Sequence, residues 1–241
     1  MAHLTTLNHM LMTFSEAHVL FRAGKNRDGY FTADDLVKQV DLAIDIFESK
    51  TSHTATGLFL FDNAPSHQKR SPDALSARKM VKGPSPHWTH QKDGPRMRPG
   101  TLPDGTRQDF YFPEDHPDYL GWFKGMEAII CERGLWPEAG LNAECKGFKC
   151  EPDATACCCR RLLFNQPDFV AQKSQLEELV TRRGHICDFY PKFHPELNFI
   201  EQYWGLAKQH YRLTPSTHST TKMEENVLNS LDAPKVEQIR R

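Results

Sequence analysis

Two acidic residues stand at positions where α/β proteins often carry out metal chemistry. Asp62 ends the apolar run "TGLFLF" (56–61), and Glu201 lies one turn into the helix-like segment that follows a second apolar run, "HICDFYP" (185–191). In open α/β sheets ligands bind at the carboxyl ends of strands, so we expect the two carboxylates to meet. Carboxylate oxygens suit Mg²⁺ or Mn²⁺, and two such ions about 4 Å apart promote phosphodiester transfer. The pattern predicts Asp62 and Glu201 as catalytic residues and metal ligands.

These residues lie in two sequence blocks that carry a resemblance to a known family. "FDNAPSH" (61–67) and "DFYPKFHPELNFIEQYW" (188–204) resemble the second and third blocks of mariner-like DDE transposases, in the RNase H-like integrase superfamily. "KNRDGYFT" (25–32) and "GHICDFYPKF" (184–193) resemble transposase-like proteins of fungal genomes. The similarity covers roughly residues 17–212.

The resemblance implies a set of roles. Asp62 would be the second catalytic acid and Glu201 the third, with His67 as an orienting and Asn198 as a structural companion. It also implies a DNA partner, DNA transposition and integration as the ancestral activity, a nuclear location, and an RNase H-like α/β fold with a mixed sheet and flanking helices.

The family's first catalytic aspartate has no counterpart on a predicted strand. Upstream of the helix that begins after Thr32 the only acids are Glu16 and Asp28, and Asp28 lies in a Gly-flanked turn. We therefore expect an incomplete, N-terminally truncated fold with impaired strand transfer. Two alternatives stay open: an active phosphodiester transferase in which an acid such as Asp28 completes the site, and a domesticated, zinc-stabilised interaction module without the chemistry.

A second group of residues suggests a different metal. The stretch "CKGFKCEPDATACCC" (145–159) holds five of the seven cysteines. Thiolates this close in an intracellular protein indicate a tetrahedral Zn²⁺ site, although the spacing is not a double C-x-x-C. Because adjacent cysteines rarely all bind one ion, Cys145, Cys150, Cys157 and Cys159 are the predicted ligands. Free thiols are the alternative, and Cys131 and Cys187 are predicted core residues.

The elements that position these residues follow from periodicity. The sequence predicts a short strand at 17–22, a helix capped by Thr32 and Asp35, a buried strand at 56–61, and a helix over 71–82. Further along the chain it predicts a hairpin that turns at 103–105, helices at 118–133 and 172–184, a strand at 185–191, and a helix at 195–211 with an apolar stripe. The stripe consists of Leu197, Ile200, Trp204, Ala207 and Tyr211, expected to pack on the sheet.

The same reading divides the chain into four parts. Residues 17–82 and 166–212 form the two halves of the RNase H-like domain, 83–165 are an insertion with a basic loop and the cysteines, and 213–241 are a polar, poorly ordered tail. An insertion accounts for the 138 residues between Asp62 and Glu201.

The distribution of charged and apolar residues indicates which classes of partner the protein binds. The 241 residues carry a net charge of −1, but residues 63–110 hold nine Lys/Arg against four Asp, a local charge of +5. Such a segment can attract nucleic acid, and a solvated basic loop is the alternative. No apolar run reaches 18 residues, which argues against a membrane span, and the first residues do not form a secretory signal.

Overall fold

A computed structural model describes residue 19 and residues 21–239. The helices are α1 (Ala33–Lys50), α2 (Met126–Glu132), α3 (Cys159–Phe164), α4 (Pro167–Val170), α5 (Gln175–Arg182), α6 (Phe199–Leu213), α7 (Thr220–Asp232) and α8 (Val236–Ile239). The strands are β1 (Leu58–Phe61), β2 (Gly100–Thr101), β3 (Arg107–Gln108) and β4 (Ile186–Phe189). The protein thus mixes helices with two small two-stranded sheets, which agrees with the predicted α/β class.

The chain forms two compact units. One contains the residues up to Gln68 together with those from Leu176 onward, and the other spans Lys69–Gln175. This second unit is wider on both sides than the insertion of 83–165 expected from the sequence.

In the first unit, β1 pairs in parallel with β4, with Leu58 opposite Ile186 and Phe61 opposite Phe189. Helix α1 has the predicted capping box, in which the Thr32 hydroxyl accepts from the Asp35 N–H and the Asp35 carboxylate accepts from the Thr32 N–H. Its buried side covers one face of the sheet, where Val40 and Ile44 pack with residues of α5 and with Phe59, Phe61 and Cys187.

The other face of this sheet is open among the described residues. Leu58 and Ile186 are 59% and 55% exposed, so β1 is not the strand buried on both faces that its apolar run predicts. The physical reason is that, within residues 21–239, β1 has one strand neighbour and is covered by a helix on one side only.

The structure differs from two further predictions, the apolar stripe on α6 and the poorly ordered tail. Of the predicted stripe on α6, Ala207 is buried, whereas Ile200 and Trp204 are nearly half exposed. The tail expected to be disordered forms α7, whose Ser219 cap accepts from the Lys222 N–H, and the Tyr203 hydroxyl donates to the Leu231 carbonyl at 2.5 Å. Tertiary contact with α6 therefore stabilises a polar segment that lacks a strong helix signal.

The second unit has a larger hydrophobic core than the first unit and little regular secondary structure. Phe110, Phe123, Met126, Ile129 and Leu163 are among its fully buried side chains. The predicted hairpin is confirmed, because β2 and β3 pair antiparallel on either side of Gly105, which takes the positive φ of 87° that the turn requires.

Two helix predictions in this unit are wrong in extent or type. Residues 71–82 form turns, because tertiary bonds such as Leu75 N–H to Gln172 Oε1 and Arg98 N–H to the Asp73 carbonyl take the place of helical ones. The helix expected over 118–133 is only α2, because Gly125, with φ 87°, packs against the backbone of Gly83 and interrupts it.

A buried ion pair links α2 to α4. The Arg133 guanidinium, which is 1% exposed, donates to both oxygens of Asp168 at 2.9 and 2.7 Å and to Gln108 Oε1. Although burial alone would raise it, these bonds and the Thr101 N–H hold the pKa of Asp168 below its usual value.

The strand expected at 17–22 falls partly outside the described residues, and positions 19, 21 and 22 are not in a strand. None of the helices described is both long and apolar enough to cross a membrane.

Candidate functional site

The carboxyl ends of β1 and β4 form the first candidate site. The Tyr190 N–H donates to the Phe61 carbonyl at 2.9 Å, and the Asn63 side chain donates to the Tyr190 carbonyl at 2.6 Å. These bonds hold the two segments that leave the sheet side by side. Asp62 follows β1 directly and is therefore fixed at this rim.

Asp62 is oriented by its own loop. Its Oδ1 accepts from the Ala64 N–H at 2.9 Å and lies 2.7 Å from His67 Nδ1, which is also 3.1 Å from the Asp62 carbonyl. No described residue donates to Oδ2, and the Asp62 side chain is 48% exposed. Oδ1 is thus held in place by the loop, an arrangement in which His67 positions the acid.

Glu201 lines the same cavity as Asp62. This cavity of about 390 Å³ is lined by Asp62, Asn63, Tyr190, Pro191, Lys192, Phe193, His194, Asn198 and Glu201. Asn198 occupies the N-cap position of α6 without a side-chain capping bond, and Glu201 lies in the first turn of this helix. The structure therefore brings together the two acids that the sequence singled out, and metal binding by them stays a prediction.

Among the described residues that line the cavity there is no third acid. Asp28, the alternative considered above, lies in the Gly24–Gly29 turn, and its Oδ2 accepts from the Arg22 N–H at 2.8 Å. His194, which is in the lining, binds Glu196 through Nδ1 at 2.7 Å, and this bond lowers the pKa of Glu196.

The second candidate site is a group of cysteines in the unit Lys69–Gln175. The ligand sulfurs of Cys145, Cys150, Cys157 and Cys158 all lie within 4.8 Å of one another, and no other group of three or more His, Cys, Asp or Glu in the described part of the chain does so. We call these four residues the cysteine cluster. They could bind a metal such as zinc.

The fourth member of the cluster corrects the prediction made from spacing. Cys159 is fully buried in the core and its sulfur faces the Leu141 carbonyl at 3.8 Å, whereas Cys158 joins the cluster. Cys159 is the first residue of α3 and belongs to the same buried core as Leu162 and Leu163, whereas Cys158 is the extended N-cap residue of that helix (φ −159°, ψ 165°). The two neighbours are thus separated by geometry that spacing alone cannot reveal.

Local structure places the cluster residues. Cys158 caps α3, and its sulfur accepts from the Arg161 N–H at 3.4 Å. Cys145 precedes a short 3₁₀ turn at Lys146–Phe148 in which Gly147 adopts a positive φ of 65°, and Cys145 Sγ lies 3.4 Å from Cys157 Sγ.

Three of the cluster thiols have shifted pKa values. The hydrogen bond with Cys157 raises the pKa of Cys145 to about 12, and the same partner raises the pKa of Cys150. Burial acts to raise the pKa of Cys158, but the N–H of Arg161 and bonds from the neighbouring thiols outweigh it and lower that pKa.

The remaining cysteines and the basic segment differ from their predictions in part. Cys131 is exposed rather than in the core, whereas Cys187 packs against the core of the first unit.

Several basic side chains of residues 63–110 pair with acids: Arg98 with Asp73, Arg96 with Glu114, Arg107 with Asp109 and Lys82 with Glu127. Asp73 and Asp109 are already counted in the formal charge of +5, whereas Glu114 and Glu127 lie outside the segment and offset two of its positive charges.

Sequence reasoning missed Cys158 and the basic residues around the cluster. Arg78, Arg160 and Arg161 line a cavity of about 250 Å³ together with Cys145, Cys150 and Cys158. The run "CCCRR" (157–161) contains Cys158, Arg160 and Arg161 but does not indicate where their side chains point, and Arg78 is distant from it in the sequence.

Searches against protein-family models, curated proteins and solved structures found no match for this chain.

Proposed function

We propose that this protein is a transposase-derived domain of the DDE type that binds nucleic acid, with metal-dependent strand transfer impaired. The observation that carries the proposal is that Asp62 and Glu201 line one cavity at the carboxyl ends of the parallel strands β1 and β4. This is the arrangement expected of an RNase H-like fold, which we propose as the origin of the unit that contains them.

The residues present fit a divalent cation, but weakly. Asp62 offers Oδ2 and Glu201 a solvent-exposed carboxylate, both hard oxygen ligands suited to Mg²⁺ or Mn²⁺. When bound, such ions activate a water or a 3′-hydroxyl and stabilise the leaving oxygen in phosphodiester transfer. Lys192 lines the same cavity and offsets part of the negative charge of the two acids, which weakens cation binding.

The protein's own residues orient the carboxylate of Asp62 but do not supply a full set of metal ligands. His67 and the Ala64 N–H hold Oδ1 of Asp62 and so fix the orientation of its carboxylate. With two acids in the described lining, fewer ligands are fixed than two ions require, and slow or absent chemistry follows.

Cation binding is tested by titrating Mn²⁺ and following the free ion by electron paramagnetic resonance. We expect weak binding that Asp62→Asn and Glu201→Gln each reduce at least tenfold. Glu237→Gln, which removes an exposed acid on α8, is the control and should bind like the parent chain. Equal binding by all variants would refute the cation site.

Nucleic-acid binding is tested by fluorescence anisotropy with labelled duplex DNA across a salt series. Replacing the exposed Lys79 and Lys92 by Gln should weaken binding and lower the salt slope by about one for each lost phosphate contact. Arg107→Gln, in the same segment but already paired with Asp109, is the matched control with a smaller effect. No binding at low salt would remove DNA as the partner and favour the zinc-stabilised interaction module.

Strand transfer and nicking of the same DNA, in Mg²⁺ or Mn²⁺, decide between the impaired and active forms of the proposal. We expect little or no product. Product that depends on metal and is lost in Asp62→Asn would show an active transferase instead.

A further inference from the structure

The cysteine cluster has the dimensions of a four-sulfur metal site. In tetrahedral zinc thiolates the metal–sulfur distance of about 2.3 Å sets sulfur–sulfur separations of about 3.8 Å. The four cluster sulfurs lie within 4.8 Å of one another and the Cys145–Cys157 pair is 3.4 Å apart, so small side-chain adjustments suffice to surround one ion.

We propose that Cys145, Cys150, Cys157 and Cys158 bind one Zn²⁺ as a structural tetrathiolate. Thiolate sulfur is a soft ligand that favours zinc over Mg²⁺ or Ca²⁺, and four protein ligands leave no position for a substrate. Each thiol that binds the metal gives up its proton to solvent. The inference is independent of the carboxylate cavity and of the proposed function.

The surroundings of the cluster suit the net charge of such a centre. Four thiolates and one Zn²⁺ carry a charge of about −2. Arg78 and Arg161 line the cavity beside three of the cysteines, whereas Arg160 in the same lining is paired with Glu144, and the Arg161 N–H already donates to Cys158 Sγ. These positive groups and this donor stabilise sulfur in its charged, metal-binding form.

A zinc ion bound by the cluster stabilises the loop between Cys145 and Cys158. The loop between Cys145 and Cys158 contains one short 3₁₀ turn, and it is fastened by few bonds, among them Arg161 Nε to the Ala154 carbonyl at 2.6 Å. Helix α3, by contrast, is anchored in the core through Cys159, Leu162 and Leu163. Because Cys158 caps α3, a metal at the cluster ties the loop to an anchored element.

The neighbouring cysteines supply a sharp test. Cys158→Ser keeps an oxygen that can cap α3 but removes a thiolate, whereas Cys159→Ser places a hydroxyl near the Leu141 carbonyl without touching the cluster. Cys131→Ser, an exposed cysteine of the same unit, is a second control. Zinc per chain is measured by mass spectrometry of protein purified under reducing conditions, and Co²⁺ replacement reports the number of sulfur ligands through its charge-transfer and visible bands.

We expect about one zinc per chain and a four-sulfur Co²⁺ spectrum in the parent protein, Cys159→Ser and Cys131→Ser. Cys158→Ser should lose most of its zinc and change the Co²⁺ spectrum. Cys145→Ser, at a less buried position, should do the same and keeps the test decisive if Cys158→Ser does not fold. Circular dichroism monitors folding of each variant.

Three outcomes would overturn the inference. One is a reduced parent protein that takes up neither zinc nor Co²⁺. Another is full zinc content in folded Cys158→Ser together with loss in Cys159→Ser, which would restore the set predicted from spacing. The third is a stable pair of disulfides within the cluster that persists under mild reduction and excludes metal.

Discussion

The carboxylate cavity and the cysteine cluster rest on different kinds of scaffold. The cavity sits at the rim of a sheet that, among the described residues, has two strands and one open face; Asp62 is half-buried on a loop and Glu201 is exposed at a helix start. The cluster is attached to α3, which is anchored in the largest core of the molecule. Side chains that act on a substrate can remain exposed, whereas side chains that stabilise a loop need an anchored partner. The contrast predicts that the cluster affects stability and the cavity does not.

The largest effect should come from the core that supports the cluster. Arg133→Met leaves Asp168 buried without its partner and should lower the free energy of unfolding by about 3–5 kcal/mol. Urea unfolding measures it, with the exposed Arg107→Met as control. If zinc stays bound while α2 and α4 loosen, the cluster does not depend on this core and the contrast fails.

Removal of zinc should have the next largest effect. At zinc concentrations about a hundredfold above the dissociation constant, binding adds about 2.7 kcal/mol to the stability of the folded state. A chelator should therefore lower the unfolding midpoint of the parent protein and of Cys159→Ser but leave zinc-poor Cys158→Ser unchanged. An equal shift in all three would point to a metal bound elsewhere.

The first unit can be weakened without involving the cluster. Thr32→Ala removes the capping box of α1 and should cost about 1 kcal/mol. Thermal unfolding measures the loss, and Thr32→Ser, which retains the cap, serves as control. Zinc content should stay unchanged in both variants, and a fall in zinc with Thr32→Ala would show that the two regions are not energetically separate.

The smallest effect should come from the carboxylate cavity itself. Asp62→Asn keeps Oδ1 as an acceptor for the Ala64 N–H, and Glu201 is exposed, so Asp62→Asn and Glu201→Gln should each change stability by no more than about 0.5 kcal/mol. Chemical unfolding compared with Glu237→Gln checks this. A loss of several kcal/mol would mean that the acids are structural, contrary to the proposed function.

Local patterns predicted the elements that local forces dominate. The capping box at Thr32 and Asp35 begins α1, Gly184 with its positive φ of 81° follows α5, and the turn at 103–105 closes the hairpin. Prediction was wrong where tertiary bonds replaced local ones, as at residues 71–82. It also missed α7, which depends on contact with α6.

Sequence alone was enough to identify the residue types available for chemistry: two acids in motif contexts, a dense set of cysteines and a basic segment. The fold then set which of them meet. It placed Asp62 and Glu201 in one cavity although 138 residues separate them, because parallel pairing of β1 and β4 aligns the carboxyl ends of the strands. It chose Cys158 over its neighbour Cys159, because Cys159, at the first position of α3, is buried in the core with Leu162 and Leu163, whereas Cys158, the N-cap residue, reaches the cluster.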